Sequence, residues 1–265
     1  MKTLLAASAI AIGVLGSQPA WAVATASASI TGFSYRLIDL NLTDGIAPAI
    51  TFSGQGTSTQ VSIGNVSDYD YLPGWFTPLQ SAAAAGAASG TAIVNATTAT
   101  AIMTTAGARV AGVYDYNYSM AYPLQANFSV TPNTGIVFTT NFAGTTSTTL
   151  GRVGNNNESA QAMGYLSMNM YDANGGQQFS GYRSVVASYT GSGNSFVGET
   201  KSFAGAVEMS YANFSSIAVS GYVSAYAQAY TYTSLPVPEP QSWALMLAGL
   251  GGMCFMARRR GQAKA

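Results

Sequence analysis

The segment FSVTPNTGIVFT, residues 128–139, combines the two signals that predict the fold of this chain. Pro132-Asn133-Thr134-Gly135 supplies residues that pre-set a bend or tolerate positive φ, as tight turns require. Beyond the turn, Ile136 and Phe138 stand at every second position, which places both side chains on one side of a strand. The segment therefore predicts extended strands joined by an antiparallel hairpin turn.

The same combination recurs along the chain. Phe33, Tyr35 and Leu37 face one side of a predicted strand, while Ser34 and Arg36 face the other. Charged residues make up only 8% of the sequence, too few for the polar faces of amphipathic helices. The chain is therefore predicted to be all-β. Further turn signals lie at Asp44-Gly45, Pro73-Gly74, Gly154-Asn155-Asn156-Asn157, Asn174-Gly175-Gly176 and Gly191-Ser192-Gly193-Asn194.

The spacing of these turns predicts late strands at residues 161–171, 177–189, 196–211 and 216–233. An alternation of small residues at 24–29 and again at 223–229 predicts long strands near the two ends of the body. We expect the strands to pack as an antiparallel β-sandwich of jelly-roll type.

An alanine-rich stretch, Ser81 to Ala111, allows two interpretations. Alanine is the best helix former, so propensity alone predicts a helix. Against a helix, glycines interrupt or directly follow the stretch, and several threonines favour strands, with small side chains packed between two sheets. These residues are Gly86, Gly90, Gly107, Gly112, Thr97, Thr98, Thr100, Thr104 and Thr105. We favour strands, and circular dichroism that shows substantial helix would contradict this prediction.

The N-terminus has the three regions of a secretory signal peptide. Lys2 is its positive residue, Leu4 to Leu15 form an apolar core, and Ala20 and Ala22 flank Trp21 at a small-residue cleavage site. We predict a signal-peptide helix over residues 1–22, cleavage after Ala22, and the secretion translocon and signal peptidase as partners.

The C-terminus has three parts in a fixed order. Pro238, Glu239 and Pro240 form a stiff spacer, Trp243 to Ala257 form an apolar run, and three arginines follow. About 15 helical residues span roughly 23 Å, short of a hydrocarbon core of about 30 Å. The run is therefore predicted to be a marginal membrane helix. Its main apolar residues and the basic stop are Trp243, Leu245, Leu247, Leu250, Phe255, Arg258, Arg259 and Arg260.

This tail resembles a PEP-CTERM sorting signal, in which a Pro-Glu-Pro tripeptide precedes a hydrophobic helix and an arginine cluster. The resemblance implies a bacterial chain that a membrane-embedded exosortase cuts near Pro238, Glu239 and Pro240. An ordinary tail anchor is the alternative. Segments of the body such as Leu37-Ile38-Asp39-Leu40 are similar to segments in other PEP-CTERM proteins of uncharacterised function, which identifies no activity.

These ends predict four regions and one topology. They are a signal peptide (1–22), an exported β-sandwich domain (23–235), a sorting segment with its hydrophobic helix (236–260) and a cytoplasmic tail (261–265). Basic residues favour the cytoplasmic side of a membrane. The domain is therefore expected on the opposite side of the inner membrane from the cytoplasm. We expect it to be anchored transiently there, then to reach the cell surface or the extracellular space.

The composition of the exported body argues against a nucleic-acid-binding protein and against a disulfide-stabilised one. Outside the two ends, five basic residues against nine acids give a net charge of −4, which offers no basic face for nucleic acid. The single cysteine, Cys254, lies in the apolar tail, so the body has no disulfide. Burial alone must stabilise its core.

The chain has no histidine, which removes most catalytic and metal chemistry. Ser-His-Asp and Cys-His arrangements and nearly all zinc sites are excluded. We expect no enzyme activity, no cofactor and no metal. Carboxylates leave two weaker alternatives: a two-carboxylate glycosidase, or calcium ligation by loop aspartates. The residues concerned are Asp68, Asp70, Glu199 and Glu208 for the first, and Asp39, Asp44, Asp68 and Asp70 for the second.

Sixteen tyrosines in a weakly charged chain suggest a contact surface. Aromatic rings carry flat apolar area with a polar tip, which suits sugars and wet protein contacts. We take Trp75 and Tyr116 as candidate glycan contacts, the first in a predicted loop with Tyr69, Tyr71 and Phe76, the second in a strand between Tyr114 and Tyr118. Tyrosine at period two is also typical of a half-buried strand face.

Two functions follow. The first is a non-enzymatic exported protein of the surface or extracellular matrix, processed by an exosortase. The alternative is a carbohydrate-binding module for exopolysaccharide.

Overall fold

The computed structural model describes residues 23–106, 117–149, 152–153, 156–172, 174–190 and 197–233. In these residues the regular structure consists of strands. The predicted signal-peptide and sorting helices lie outside them. The strands are β1 (Val23–Asp39), β2 (Ile50–Ile63), β3 (Val66–Pro73), β4 (Leu79–Ala85), β5 (Ala88–Val94), β6 (Thr98–Ala106), β7 (Asn117–Val130), β8 (Thr134–Thr148), β9 (Arg152–Val153), β10 (Asn156–Tyr171), β11 (Gln177–Thr190), β12 (Thr200–Asn213) and β13 (Val219–Thr233).

The strands form two antiparallel sheets that pack face to face. Sheet I has the order β12-β8-β1-β6-β5-β4, and sheet II has the order β11-β10-β13-β7-β2-β3, with β9 paired to β10. The predicted all-β antiparallel sandwich is confirmed. All four late strands and both long end strands are present.

The turn in the segment 128–139 has a different role from the predicted one. It joins β7 of sheet II to β8 of sheet I, so the chain crosses between the sheets instead of forming a hairpin. Phe128 and Phe138, on either side of the turn, meet in the core with ring centroids 5.3 Å apart in an edge-to-face arrangement. Burial of both rings against each other favours the crossover.

The hairpins include two at turns that were not predicted and one at a turn that was. Gly64 and Gly86 begin the two-residue loops of β2–β3 and β4–β5, with φ angles of 57° and 59° that L-residues with side chains rarely adopt. Of the predicted turns, Asn174-Gly175-Gly176 does close a hairpin, between β10 and β11. Crossovers and hairpins therefore share residue types, and the sequence alone does not separate them.

The alanine-rich stretch forms strands, as predicted. Residues 81–106 lie in β4, β5 and β6, while 107–111 lie outside the described residues. Ala92, Ala99 and Ala101 are fully buried or nearly so between the sheets. Small side chains allow the two sheets to approach each other closely. The high alanine content of this stretch therefore reflects packing between sheets and not a helix.

One strand, β1, contains both alternations that the sequence shows near its start. Ala24, Ala26, Ala28 and Ile30 point into the core at even positions. The register shifts between Thr31 and Phe33, where Gly32 has a φ of 72°, and the inward positions become odd, with Phe33 and Leu37 packed against the core. A bulge of this kind re-aims the side chains that follow it.

Buried hydroxyl pairs also connect the two sheets. Thr59 of β2 and Ser81 of β4 lie 2.8 Å apart between their oxygens. Thr105 of β6 and Thr231 of β13 form a second hydrogen-bonded pair. These four buried hydroxyls thus find their partners across the sandwich.

The edges of the two sheets are tied together on one side. Asp68 of β3, the edge strand of sheet II, accepts a hydrogen bond of 2.8 Å from the backbone N–H of Ala82 in β4, the edge strand of sheet I.

In the described residues no helix is long and apolar enough to cross a membrane.

Candidate functional site

The outward side of sheet II is the most distinctive surface in the described residues. Strand alternation creates it: in β13, Val223, Ala227 and Ala229 face the core, while Tyr222 and Tyr226 face outward. We call this surface the tyrosine face. It comprises Ser58, Gln60, Tyr69, Tyr71, Tyr118, Tyr122, Gln125, Tyr165, Ser167, Tyr182, Tyr222, Ser224, Tyr226 and Tyr230.

Four tyrosines form a ladder across four neighbouring strands. Tyr182 of β11 stacks on Tyr165 of β10 at 5.3 Å between centroids, and Tyr165 stacks on Tyr226 of β13 at 4.7 Å. Tyr226 in turn lies 4.7 Å from Tyr122 of β7. The first two contacts are stacked, and the third is tilted with 38° between the ring planes. The ladder is therefore a continuous row of phenol rings.

Lateral hydrogen bonds fix the polar side chains beside the ladder. Gln60 Nε2 donates to Tyr118 Oη at 3.0 Å, and Gln125 Nε2 donates to Ser58 Oγ at 2.7 Å. Tyr222 Oη donates to Gln125 Oε1 at 3.4 Å. The surface is thus organised before any ligand arrives.

Three of the ladder phenols, Tyr226, Tyr122 and Tyr165, have pKa values raised above the ordinary value. Burial, followed by the neighbouring Tyr165, raises the pKa of Tyr226 to about 12. Burial raises the pKa of Tyr122 even further, with Tyr226 as the next cause, and burial then Tyr182 raise that of Tyr165. Ionisation is disfavoured because a phenolate loses hydration and is repelled by neighbouring phenolates.

The outward positions of the four inner strands, β10, β13, β7 and β2, carry no Asp, Glu, Lys or Arg across their paired registers. Amides, hydroxyls, tyrosines and methionines fill them instead. A surface of this composition suits an uncharged partner rich in hydrogen-bonding groups.

The ring of Tyr71 lies down on the sheet. A Cβ built on Gly56 would come 2.5 Å from both Tyr71 Oη and Cε2. The phenol tip therefore sits where the neighbouring strand has no side chain. Tyr71 remains 47% exposed, and Tyr69 two positions away is 62% exposed. At the opposite edge of sheet II, Tyr182 is 61% exposed.

The predicted glycan contacts are placed differently. Tyr69 and Tyr71 belong to β3, not to a loop with Trp75 and Phe76. Trp75 is half-buried, packs against Phe33 and Phe52 at 5.5 and 4.6 Å between centroids, and donates from Nε1 to the Gln125 carbonyl at 3.3 Å. Its ring is largely engaged in the core. Tyr114 and Tyr116 lie outside the described residues, and Tyr118 lies on the tyrosine face.

The four carboxylates of the glycosidase alternative are not brought together. Asp68 and Asp70 are on β3 at one side of the sandwich, and Glu208 is on β12 at the other. Asp70 accepts from the Tyr71 backbone N–H, Glu208 accepts from Thr139 Oγ1, and Glu199 pairs with Lys201 at 3.7 Å.

Two aspartates of the calcium alternative, Asp44 and Asp39, stabilise turns, while Asp68 and Asp70 lie on β3. Asp44 Oδ1 accepts from Ile46 N, and Asp44 Oδ2 accepts from Asn133 Nδ2, and these two bonds lower the Asp44 pKa. Asp39 accepts from Asn41 N in a similar turn. Within the described ranges no three metal-ligating side chains cluster.

Sequence reasoning missed the ladder itself. Tyr165 and Tyr182 fall within strands that were predicted, at positions two apart from other outward polar residues. Their meeting depends on the pairing Tyr165 to Tyr226 and on the strand order of sheet II, neither of which alternation reveals.

Several predicted sites fall outside the described residues. They are the cleavage residues Ala20 and Ala22, the motif Pro238, Glu239 and Pro240, the helix residues Trp243, Leu245, Leu247, Leu250 and Phe255, and the basic stop Arg258, Arg259 and Arg260.

Comparison with known proteins bears on this tail. No curated protein and no solved structure matches the chain. A family model described as the PEP-CTERM protein-sorting motif matches residues 236–260, the segment that the sequence predicted. The motif implies export and processing by an exosortase, with transient membrane association. The chain thus carries a PEP-CTERM sorting motif at residues 236–260, with a β-rich body before it.

Proposed function

We propose that this protein is a non-enzymatic component of the cell surface or extracellular matrix, and that the tyrosine face is its contact surface. The translocon and signal peptidase deliver it, and the exosortase releases it. The observation that carries the proposal is the ladder of Tyr182, Tyr165, Tyr226 and Tyr122 on an outward sheet side without charged residues.

The chemistry of this surface supports adhesion. Stacked rings lose little conformational freedom on binding, because their neighbours already hold them. The raised pKa values of Tyr226, Tyr122 and Tyr165 keep these phenols protonated, so they donate hydrogen bonds as well as accept them. A neutral surface also avoids the desolvation cost that charged groups bring to a contact.

A carbohydrate-binding module for exopolysaccharide is the second candidate, and one observation favours it. The Tyr71 ring lies along the sheet over Gly56 while nearly half of the residue stays exposed. A ring held in this way offers a face on which the apolar side of a sugar can stack. Tyr69 and Tyr182 add exposed aromatic area at the two ends of the face.

The test uses the processed protein recovered from the exporting cell. Tyr71→Ala, Tyr182→Ala and Trp75→Ala are compared with Phe214→Ala, an exposed aromatic outside the tyrosine face. Tyr116→Ala tests the remaining predicted glycan contact. Retention in isolated matrix and binding to purified exopolysaccharide are measured in parallel.

The outcomes separate the candidates. Loss of both retention and polysaccharide binding with Tyr71→Ala and Tyr182→Ala identifies a carbohydrate-binding module. Loss of retention alone identifies a contact with another matrix component. If none of the face variants changes retention relative to Phe214→Ala, the tyrosine face is not the contact surface.

A further inference from the structure

Two tyrosines at one end of the ladder combine ring contact with access to solvent. Tyr165 of β10 and Tyr182 of β11 have ring centroids 5.3 Å apart, with 19° between the ring planes. Tyr165 lies opposite Ser184 in the register, and Tyr182 lies opposite Ser167, so the two tyrosines are diagonal neighbours on paired strands. Aromatic side chains are long enough to touch at diagonal positions. The strand pairing therefore holds these two phenols together.

Tyr182 is the member of the ladder that a dissolved reagent reaches most easily. It is 61% exposed, whereas Tyr165, Tyr226 and Tyr122 are only partly exposed. It also lies on β11, the edge strand of sheet II, while Tyr226 is held between Tyr165 and Tyr122. An exposed ring at an edge can turn about its side-chain bonds. Tyr182 can therefore both meet an oxidant and shift towards Tyr165.

We propose that Tyr165 and Tyr182 form a site of oxidative cross-linking, at which a peroxide-dependent one-electron oxidant joins their rings as dityrosine. The proposal is independent of what the tyrosine face binds. Each phenol gives up one electron and one proton and becomes a phenoxyl radical. The two radicals form one carbon–carbon bond between positions ortho to their oxygens, and each ortho hydrogen then moves as a proton to restore its phenol. Hydrogen peroxide takes up both electrons and both protons and becomes two molecules of water.

Only a small movement separates a stacked pair of rings from a bonded pair. Carbon atoms of two rings in contact lie about 3.5–4.0 Å apart, and a carbon–carbon bond is about 1.5 Å long. The ortho carbons must therefore approach each other by roughly 2 Å. A rotation of the exposed Tyr182 side chain on the edge strand can supply this movement while the core stays in place.

The buried part of the ladder resists the same oxidation. Burial raises the pKa of Tyr226 to about 12 and that of Tyr122 further, and it also raises the pKa of Tyr165. A phenol that holds its proton more tightly is harder to convert to a neutral radical, because the proton must leave with the electron. Oxidation therefore begins at the exposed end, and Tyr165 reacts because it contacts Tyr182.

The cross-link changes the stability of the edge of sheet II. The bond between Tyr165 and Tyr182 closes a loop that contains the turn between β10 and β11. A covalent bond of this kind stabilises a folded domain because it restricts the unfolded chain. The body before the apolar tail contains no cysteine, so it has no disulfide to do so. An oxidant outside the cytoplasm thus supplies a covalent bond by another route.

The test uses the processed protein recovered from the exporting cell, treated with hydrogen peroxide and a haem peroxidase. Dityrosine fluorescence follows the product, and the intact mass of the monomer should fall by two hydrogen atoms. Trypsin cuts after Arg152 and Arg183, which leaves both tyrosines in the peptide 153–183. A further cut before Asp172 gives two halves that stay together only through a cross-link. Fragmentation of the joined halves distinguishes Tyr165 from Tyr171, the other tyrosine of the first half.

Tyr69→Phe is the matched control for Tyr182→Phe. Tyr69 is 62% exposed on β3, the opposite edge strand of sheet II. We expect Tyr182→Phe and Tyr165→Phe each to abolish the joined halves, whereas Tyr69→Phe leaves their yield unchanged. Oxidation should also raise the Tm of the unaltered protein by roughly 5–10 °C, and this rise should be absent in Tyr182→Phe. These changes remove only a phenol oxygen from a ring at the surface, so the fold is retained.

Several outcomes would overturn the proposal. Joined halves that survive Tyr182→Phe, or that map to Tyr171, would assign the cross-link to another pair of rings. Dityrosine found only between copies of the protein would show that Tyr165 and Tyr182 do not couple within one chain. The same conclusion follows if the protein forms no dityrosine while free tyrosine in the same reaction is coupled.

Discussion

Gly56 and Tyr71 fit together because the glycine has no side chain: the phenol tip occupies the place of the missing Cβ. Gly56→Ala should therefore lift the Tyr71 ring without removing it. We expect weaker retention in matrix, or weaker polysaccharide binding, with a Tm change of only a few degrees. The ring is the far end of a mobile side chain, so it can move out at low cost.

Gly205→Ala is the matched control, since a Cβ on Gly205 meets nothing within 4 Å. It lies on β12 of sheet I, away from the tyrosine face. Equal effects of Gly56→Ala and Gly205→Ala on binding would show that the position of the Tyr71 ring is irrelevant.

Gly164→Ala should destabilise the domain by overpacking its core. A Cβ on Gly164 of β10 would collide with the ring of Phe142, which reaches across from β8. Phe142 is only 2% exposed and has little room to withdraw. We expect a loss of about 1–3 kcal/mol in chemical denaturation. A loss no larger than that of Gly205→Ala would contradict the packing.

The hydroxyl pair of Thr105 and Thr231 predicts a non-additive result. Thr105→Val leaves the Thr231 hydroxyl buried without this partner, at a cost of about 1–3 kcal/mol. Adding Thr231→Val should recover most of that loss, because both polar groups are then gone. Thr145→Val, on an exposed site, serves as the reference. Additive losses in the double variant would show that the two hydroxyls act independently.

Alkaline pH should weaken the domain through its ladder. The Tyr226 pKa is raised in the folded state to about 12 from an ordinary value of 10.0. The unfolded chain therefore loses its proton first, and stability falls as pH rises from about 10 towards 12. Denaturant midpoints across this range measure the fall. Tyr226→Phe should reduce its slope, and an unchanged slope would exclude a contribution from this phenol.

The mass of the exported chain tests both ends together. We expect the processed protein to start at Val23 and to end near Pro238, Glu239 and Pro240. Intact-mass spectrometry reports both cuts and any attached glycan. A chain recovered inside the cell with both ends attached would contradict the export of the body.

How far the fold can be predicted depends on which interactions are local. Alternation in Phe33, Tyr35 and Leu37 gave the strand, because side-chain direction in a strand follows from the backbone alone. It did not give the bulge at Gly32, which exchanges the inward and outward positions of β1. Nor did it separate crossovers from hairpins, since the choice depends on distant partners such as Phe128 and Phe138.

The candidate site follows the same rule. Aromatic composition suggested a tyrosine-rich contact surface, with Trp75 in a predicted aromatic loop. The structure instead packs Trp75 against Phe33 and Phe52. Tyr182 and Tyr165 meet only because β11 and β10 pair in a particular register. The C-terminal motif could be recognised without knowledge of the fold, because its three parts follow one another directly in the sequence.

The bond from Asp68 to Ala82 limits how copies of the protein can join. Strand addition at β4 would need the Ala82 N–H as a donor, and Asp68 already occupies it. Strand addition at this edge of sheet I therefore requires that the bond from Ala82 to Asp68 first breaks. The Asp68 carboxylate thus opposes strand pairing between copies of the protein on this side, which would otherwise build fibres. Contacts between copies would then use side-chain surfaces.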